Sequence, residues 1–250
     1  MTHAIRAELV KLRTTRMVYG LLAGMLPLVV LSVVSSILTA GRRGSGPPLS
    51  TEAGVRAVLS SAGSGVIFAL VLGILAMAGE FRHNTATGTF LATPRRDRVV
   101  LAKFLVYGAV GAVFAVVAMA FTLAIGLPWL ATRSEARAPT AADLLVVFGG
   151  ALLASAIYGG LGVSVGALIR NQVAAVLGAL SFSFIVEGLL VSLLPRVGKW
   201  LPGGAANALV SAATPKGGLL PIWAAALVLL GYAVVLAVLG ARFVVRRDVT

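Results

Sequence analysis

The chain has no cysteine, which excludes disulfides, thiolate metal sites and cysteine nucleophiles together. Acidic residues are almost as scarce. Against 21 Lys and Arg stand only 8 Asp and Glu, and charged residues of both signs make up 12% of the chain, about half the share found in soluble domains. The two histidines, His3 and His83, are too few for a metal cluster. Neither H-E-x-x-H nor G-x-x-x-x-G-K-[ST] occurs, so the chain has no phosphate-cradling loop of its own. A serine nucleophile would lack its buried base. These absences argue against an enzyme, and no metal or cofactor is expected to bind this chain.

What is present in abundance is apolar: 59% of residues are hydrophobic and the mean hydropathy is +1.00. That composition belongs to an integral membrane protein. A net charge of +13 would suggest nucleic-acid binding in a soluble chain. Here the cations sit between apolar runs, where anionic headgroups and membrane topology call for them, so no nucleic-acid partner is expected. Residues 1–16 read as an amphipathic helix lying in the membrane interface, with Ile5, Leu9 and Leu12 on one face and Arg6, Lys11, Arg13 and Arg16 around the rest. The alternative, the charged start of a signal peptide, fits less well. The apolar run that follows is too long and lacks a clear A-x-A cleavage site.

Counting runs of about 20 apolar residues gives an all-α membrane protein with six spans, at about 17–39, 58–78, 103–126, 144–169, 173–194 and 219–241. Together they form a single transmembrane domain. Pro27 is expected to kink the first span or open a turn in it. The positive-inside rule places both termini in the cytoplasm: on that orientation 13 of the 21 cations fall in cytoplasmic segments and 8 outside, with the densest clusters flanking the first three spans. Residues 80–98 then form a cytoplasmic loop, the longest polar segment on that side. On the outer side, residues 195–218 are too long for a bare loop. Short interfacial or re-entrant helices are expected there, with Trp200 at headgroup level. No internal repeat stands out, which weakens an inverted-repeat secondary transporter.

Two features inside the spans bear on function. Ala151, Ser155, Gly159, Gly162 and Gly166 fall on one side of the fourth helix, and small residues in that register let helix backbones approach closely. Packing within one subunit is the plainer reading of this stripe; a subunit interface is the other. Glu187 is the one acid well inside a span, with Ser183 a turn away on the same side. A charge at the bilayer centre costs about 2.5–3.5 kcal/mol on insertion scales. Glu187 therefore either belongs to a pathway or gate, or is a hydrogen-bonded acid tying its helix to the following segment.

Four stretches resemble the small ABC-2 type transporter permeases, particularly those of actinobacteria, including a branch that confers resistance to bacitracin or lantibiotics. They are Ala7-Glu8-Leu9-Val10-Lys11-Leu12-Arg13-Thr14-Thr15-Arg16; Gly79-Glu80-Phe81-Arg82-His83-Asn84-Thr85 with Phe90-Leu91-Ala92-Thr93-Pro94-Arg95-Arg96; Leu127-Pro128-Trp129-Leu130; and Val186-Glu187-Gly188-Leu189-Leu190 through Leu201-Pro202-Gly203-Gly204-Ala205. The resemblance extends over nearly the whole chain. It departs at Gly188, where the family often has proline. It implies a six-helix permease that pairs with a second permease, a copy of this chain in preference to a paralogue. A separate ATPase subunit would sit beneath each half, holding the ATP and Mg that this chain does not.

On that resemblance, residues 1–16 are the interfacial connecting helix and 80–98 contain the coupling helix. Glu80, Phe81, Arg82, Thr85, Phe90 and Arg95 are the candidates for contact with the ATPase. Glu187 and Ser183 would line the translocation path, with 195–218 as the outer gate. The expected function is export of a hydrophobic or amphipathic compound, such as a peptide, antibiotic, lipid or drug, across the cell membrane by ATP hydrolysed in the partner. The alternative is a secondary transporter or channel driven by an ion gradient through Glu187.

Overall fold

The structure, a computed structural model, describes residues 2–42, 46–82, 96–169, 171–211 and 218–246. Among the described residues the secondary structure is helical throughout, with no strand. Six helical stretches are long and apolar enough to cross a membrane: Met17–Thr39, Glu52–Arg82, Val99–Ala131, Ala141–Leu168, Gln172–Leu193 and Ile222–Gly240. This is the make-up of a multi-pass membrane protein.

In chain order, α1 (Thr2–Thr14) precedes α2 (Met17–Thr39). The second span is built from α3 (Glu52–Leu59), a tight 3-10 turn at Ser60–Ser64, and α4 (Gly65–Arg82). The next two are α5 (Arg96–Ala131) and α6 (Ala141–Leu168). The fifth comprises α7 (Gln172–Ser181), a wide π turn at Phe182–Val186 and α8 (Glu187–Leu193). Two short helices, α9 (Pro195–Gly198) and α10 (Pro202–Ser211), lead to α11 (Ile222–Arg246).

Three helix starts follow from local chemistry. Thr51 accepts from the Gly54 N–H at 3.1 Å, Asn171 from the Ala174 N–H at 3.1 Å, and Thr140 forms a reciprocal capping box with Asp143. Several ends differ from the sequence expectation. The second span begins at Glu52 because Arg56, expected in a loop, is held by Asp143 and Glu52. The third begins at Arg96 because Lys103 is neutralised inside the bundle and does not stop the helix. Consequently 80–82 and 96–98 are helix ends, while 83–95 lie outside the described residues. Helix α2 runs through Pro27 and α5 through Pro128 without interruption.

Helix α6 is the axis of the bundle, in contact with α4, α5, α10 and α11. Its small residues make this possible. A Cβ at Gly162 would lie 3.0 Å from the Gly73 Cα in α4, and one at Gly159 would lie 2.9 Å from the Tyr107 carbonyl carbon in α5. Only glycine permits backbones this close. Ala151, Ser155, Gly159, Gly162 and Gly166 are all buried, so the stripe is spent on contacts within the chain. The α7–α8 span lies at the periphery, with 11% of it buried against the rest of the chain.

Between α8 and α11, α9 packs on α8 and α10 folds back into the bundle. Leu209 of α10 abuts Gly150, about 14 Å along α6 from its first residue at 1.5 Å per residue. Trp200, just before α10, is 50% exposed.

Candidate functional site

At the end of the bundle where α1 lies, four charged side chains meet. Glu8 is buried and accepts from Lys103 Nζ at 2.8 Å, from Lys11 Nζ at 3.1 Å and from the Tyr107 hydroxyl at 3.3 Å. Glu80, also buried, accepts from Lys103 at 2.9 Å and Lys11 at 2.5 Å. Lys103 is fully buried and reaches the Ala76 carbonyl at 3.4 Å as well. Two carboxylates and two ammonium groups balance, which is the condition for burying any of them. Burial opposes the charge on Lys11, but Glu80 and Glu8 outweigh it and hold the amine above its ordinary pKa.

The cluster fixes how α1 sits. Ile5, Leu9 and Leu12 are the expected apolar face, yet Leu9 is 47% exposed while Glu8 and Leu12 are buried. The helix is turned so that Glu8 reaches Lys103. A second balanced set closes the opposite end of the bundle, where Asp143 accepts from Arg56 Nε at 2.8 Å and from Arg137 at 2.9 Å, and Glu52 pairs with Arg56 at 2.6 Å.

The expected ATPase contacts therefore divide. Glu80 turns inward to the lysines, Phe81 is half-buried, and Arg82 is exposed and donates to Gln172 Oε1 at 3.3 Å. Thr85, Phe90 and Arg95 lie outside the described residues. Sequence reading missed Glu8, Lys103 and Tyr107 as a unit. The available signal was a carboxylate and a lysine, each embedded in apolar sequence.

Ser183 and Glu187 are brought together at a cavity of about 410 Å³. The cavity lies between the Ser60–Ser64 turn with the start of α4, the middle of α6, the π turn with α8, and α10. In that turn the Glu187 N–H donates to the Phe182 carbonyl, five residues back, and π turns recur at functional positions. Ser60, Ser64, Asn207 and Ser211 add polar groups, with the Tyr158 side chain on the α6 wall. Glu187 is 4% exposed and accepts the Gly203 N–H on Oε1 at 3.1 Å. Among the described residues nothing donates to its Oε2 and no other charged side chain lines the cavity. A Cβ at Gly203 would meet the Glu187 carboxylate, which would have to swing aside.

No group of three or more His, Asp or Glu able to hold a metal occurs among the described residues. The chain matches no model of a known protein family and has no significant match among curated proteins.

Proposed function

We propose that the chain is the membrane-spanning subunit of an exporter driven by ATP hydrolysis in a separate ATPase, an ABC-2 type permease in the cell membrane with both termini in the cytoplasm. The observation that carries this reading is the path of α4. Its Glu80 end is tied through Lys103 and Lys11 to the surface helix α1, and its other end, at Val66 and Ile67, walls the cavity of Glu187. About 21 Å of continuous helix joins the two at 1.5 Å per residue. A push on α1 or on the segment after Arg82 is thereby delivered to the cavity wall, because packed helices move as rigid bodies.

In this mechanism the residues have separate tasks. Arg82, Phe90 and Arg95 meet the ATPase, and Glu80 acts one step behind them by anchoring α1. The ATP and Mg belong to the partner. A second copy of the chain lies against the α7–α8 span. Replacing Phe90→Asp together with Arg82→Glu is expected to abolish co-purification with the ATPase while membrane insertion is unchanged. Undiminished association would sink the coupling assignment.

One observation favours a second reading: Glu187 is the one acid among the described residues lining the cavity. Glu187 would then carry protons or cations in a transporter driven by an ion gradient. Transport that survives ATP depletion and collapses with the proton gradient would select that reading over the first.

A further inference from the structure

We infer that the Glu187 cavity binds an amphipathic organic cation, its ammonium or guanidinium head against Glu187 and its apolar body along Val66, Ile67, Phe184 and Val210. The inference deepens the transport reading by giving the cargo a chemical class, and it rests on that reading only for the step of export.

The sign of the charge comes first. Glu187 is the sole charged group lining the cavity among the described residues, and an anionic ligand would meet it unscreened in a low-dielectric surrounding. One carboxylate oxygen is taken by the Gly203 N–H and the other has no protein donor among the described residues. A buried acid with an open acceptor gains most from a ligand that brings both a donor and a positive charge.

The size of the ligand follows from the walls. Ca²⁺ or Mg²⁺ takes about six or more oxygen ligands close to it, whereas here the one carboxylate among the described lining residues is already engaged by a backbone N–H. About 410 Å³ lies within the range of small-molecule sites. Hydroxyls of Ser60, Ser64 and Ser183 and the Asn207 amide offer hydrogen bonds, and the remaining wall is apolar. That combination suits a molecule with one polar end.

Phe184 lines the cavity and is itself 68% exposed, so an apolar part of the lining reaches the surface of the bundle.

The test uses the full chain alone, in phosphatidylcholine nanodiscs, with no ATPase present. Two cations, ethidium and dodecyltrimethylammonium, serve as probes, with the uncharged dye Nile red as control. Saturable binding of at least one cation is expected. Glu187→Gln keeps an acceptor for the Gly203 N–H and should weaken that binding by about tenfold or more, the worth of a charge-assisted contact. Asn207→Lys, at an exposed position on the cavity rim, supplies a competing cation without altering Glu187 and should weaken it similarly. Nile red binding should be unchanged in both.

Absence of saturable binding by either cation would overturn the inference. So would affinities in both variants within about twofold of the parent, or loss of Nile red and cation binding in parallel. Glu187-dependent binding without ATP-driven transport would leave the site standing and remove the exporter.

Discussion

Lys103 is the residue on which the α1 end of the bundle depends. It is fully buried between Glu8 and Glu80, and removing one member of a buried ion pair leaves the other charged and unsolvated. Lys103→Met is therefore expected to cost about 3–5 kcal/mol, read as a fall in melting temperature of the purified chain by fluorescence-detected size exclusion. Lys11→Met should cost much less, because its side chain is 41% exposed and water screens what remains. Equal losses from the two would mean that the cluster is not a buried lock. At this scale the sequence is a partial guide. Glu187 is legible because a lone acid in an apolar run must be explained by something. The pairing of Glu8 with Lys103 is not, because the partners are 95 residues apart and helical periodicity relates only neighbours on one helix.

Among the elements, α6 has the least tolerance for change. Gly162 meets α4 and Gly159 meets α5, so the two contacts clamp the helix between its neighbours. Gly162→Leu should force α4 away and leave the protein aggregated or unstable in size exclusion, since overpacking at a backbone contact has no rotamer that relieves it. Gly149→Leu, on the same helix but with nothing within 4 Å of its added Cβ, is the control and should behave as the parent. If both substitutions were tolerated, α6 would not be the axis.

The existence of six apolar helices and this small-residue stripe were readable from composition and spacing, because both are local. The helix ends shifted at Arg56 and Lys103 because tertiary ion pairs absorbed charges that would otherwise mark a loop. The π turn before Glu187 has no local signature. The burial of α10 against Gly150 depends on a contact between segments far apart in the chain.

For the whole molecule, the outstanding question is what covers the α7–α8 span. Its 11% burial is half that of α2 or the last span, each 22%, although all three are apolar enough to face lipid. What sets it apart is the cavity it borders through Ser183, Phe184 and Glu187. Lipid against that side would set the Glu187 carboxylate and its hydrogen-bonding neighbours close to hydrocarbon, where polar groups are costly. A second copy placed across it would enclose two cavities side by side around the pair axis, as an isologous contact requires. The absence of cysteine makes this directly measurable. A single Leu189→Cys, 53% exposed on α8, should form a disulfide-linked dimer on oxidation in native membranes, whereas Val234→Cys, 61% exposed on α11, should remain monomeric on a reducing-agent-free gel. Cross-linking through Val234→Cys alone would move the partner to α11 and leave the Glu187 cavity facing lipid, where a ligand enters from the bilayer and no second copy contributes to its site.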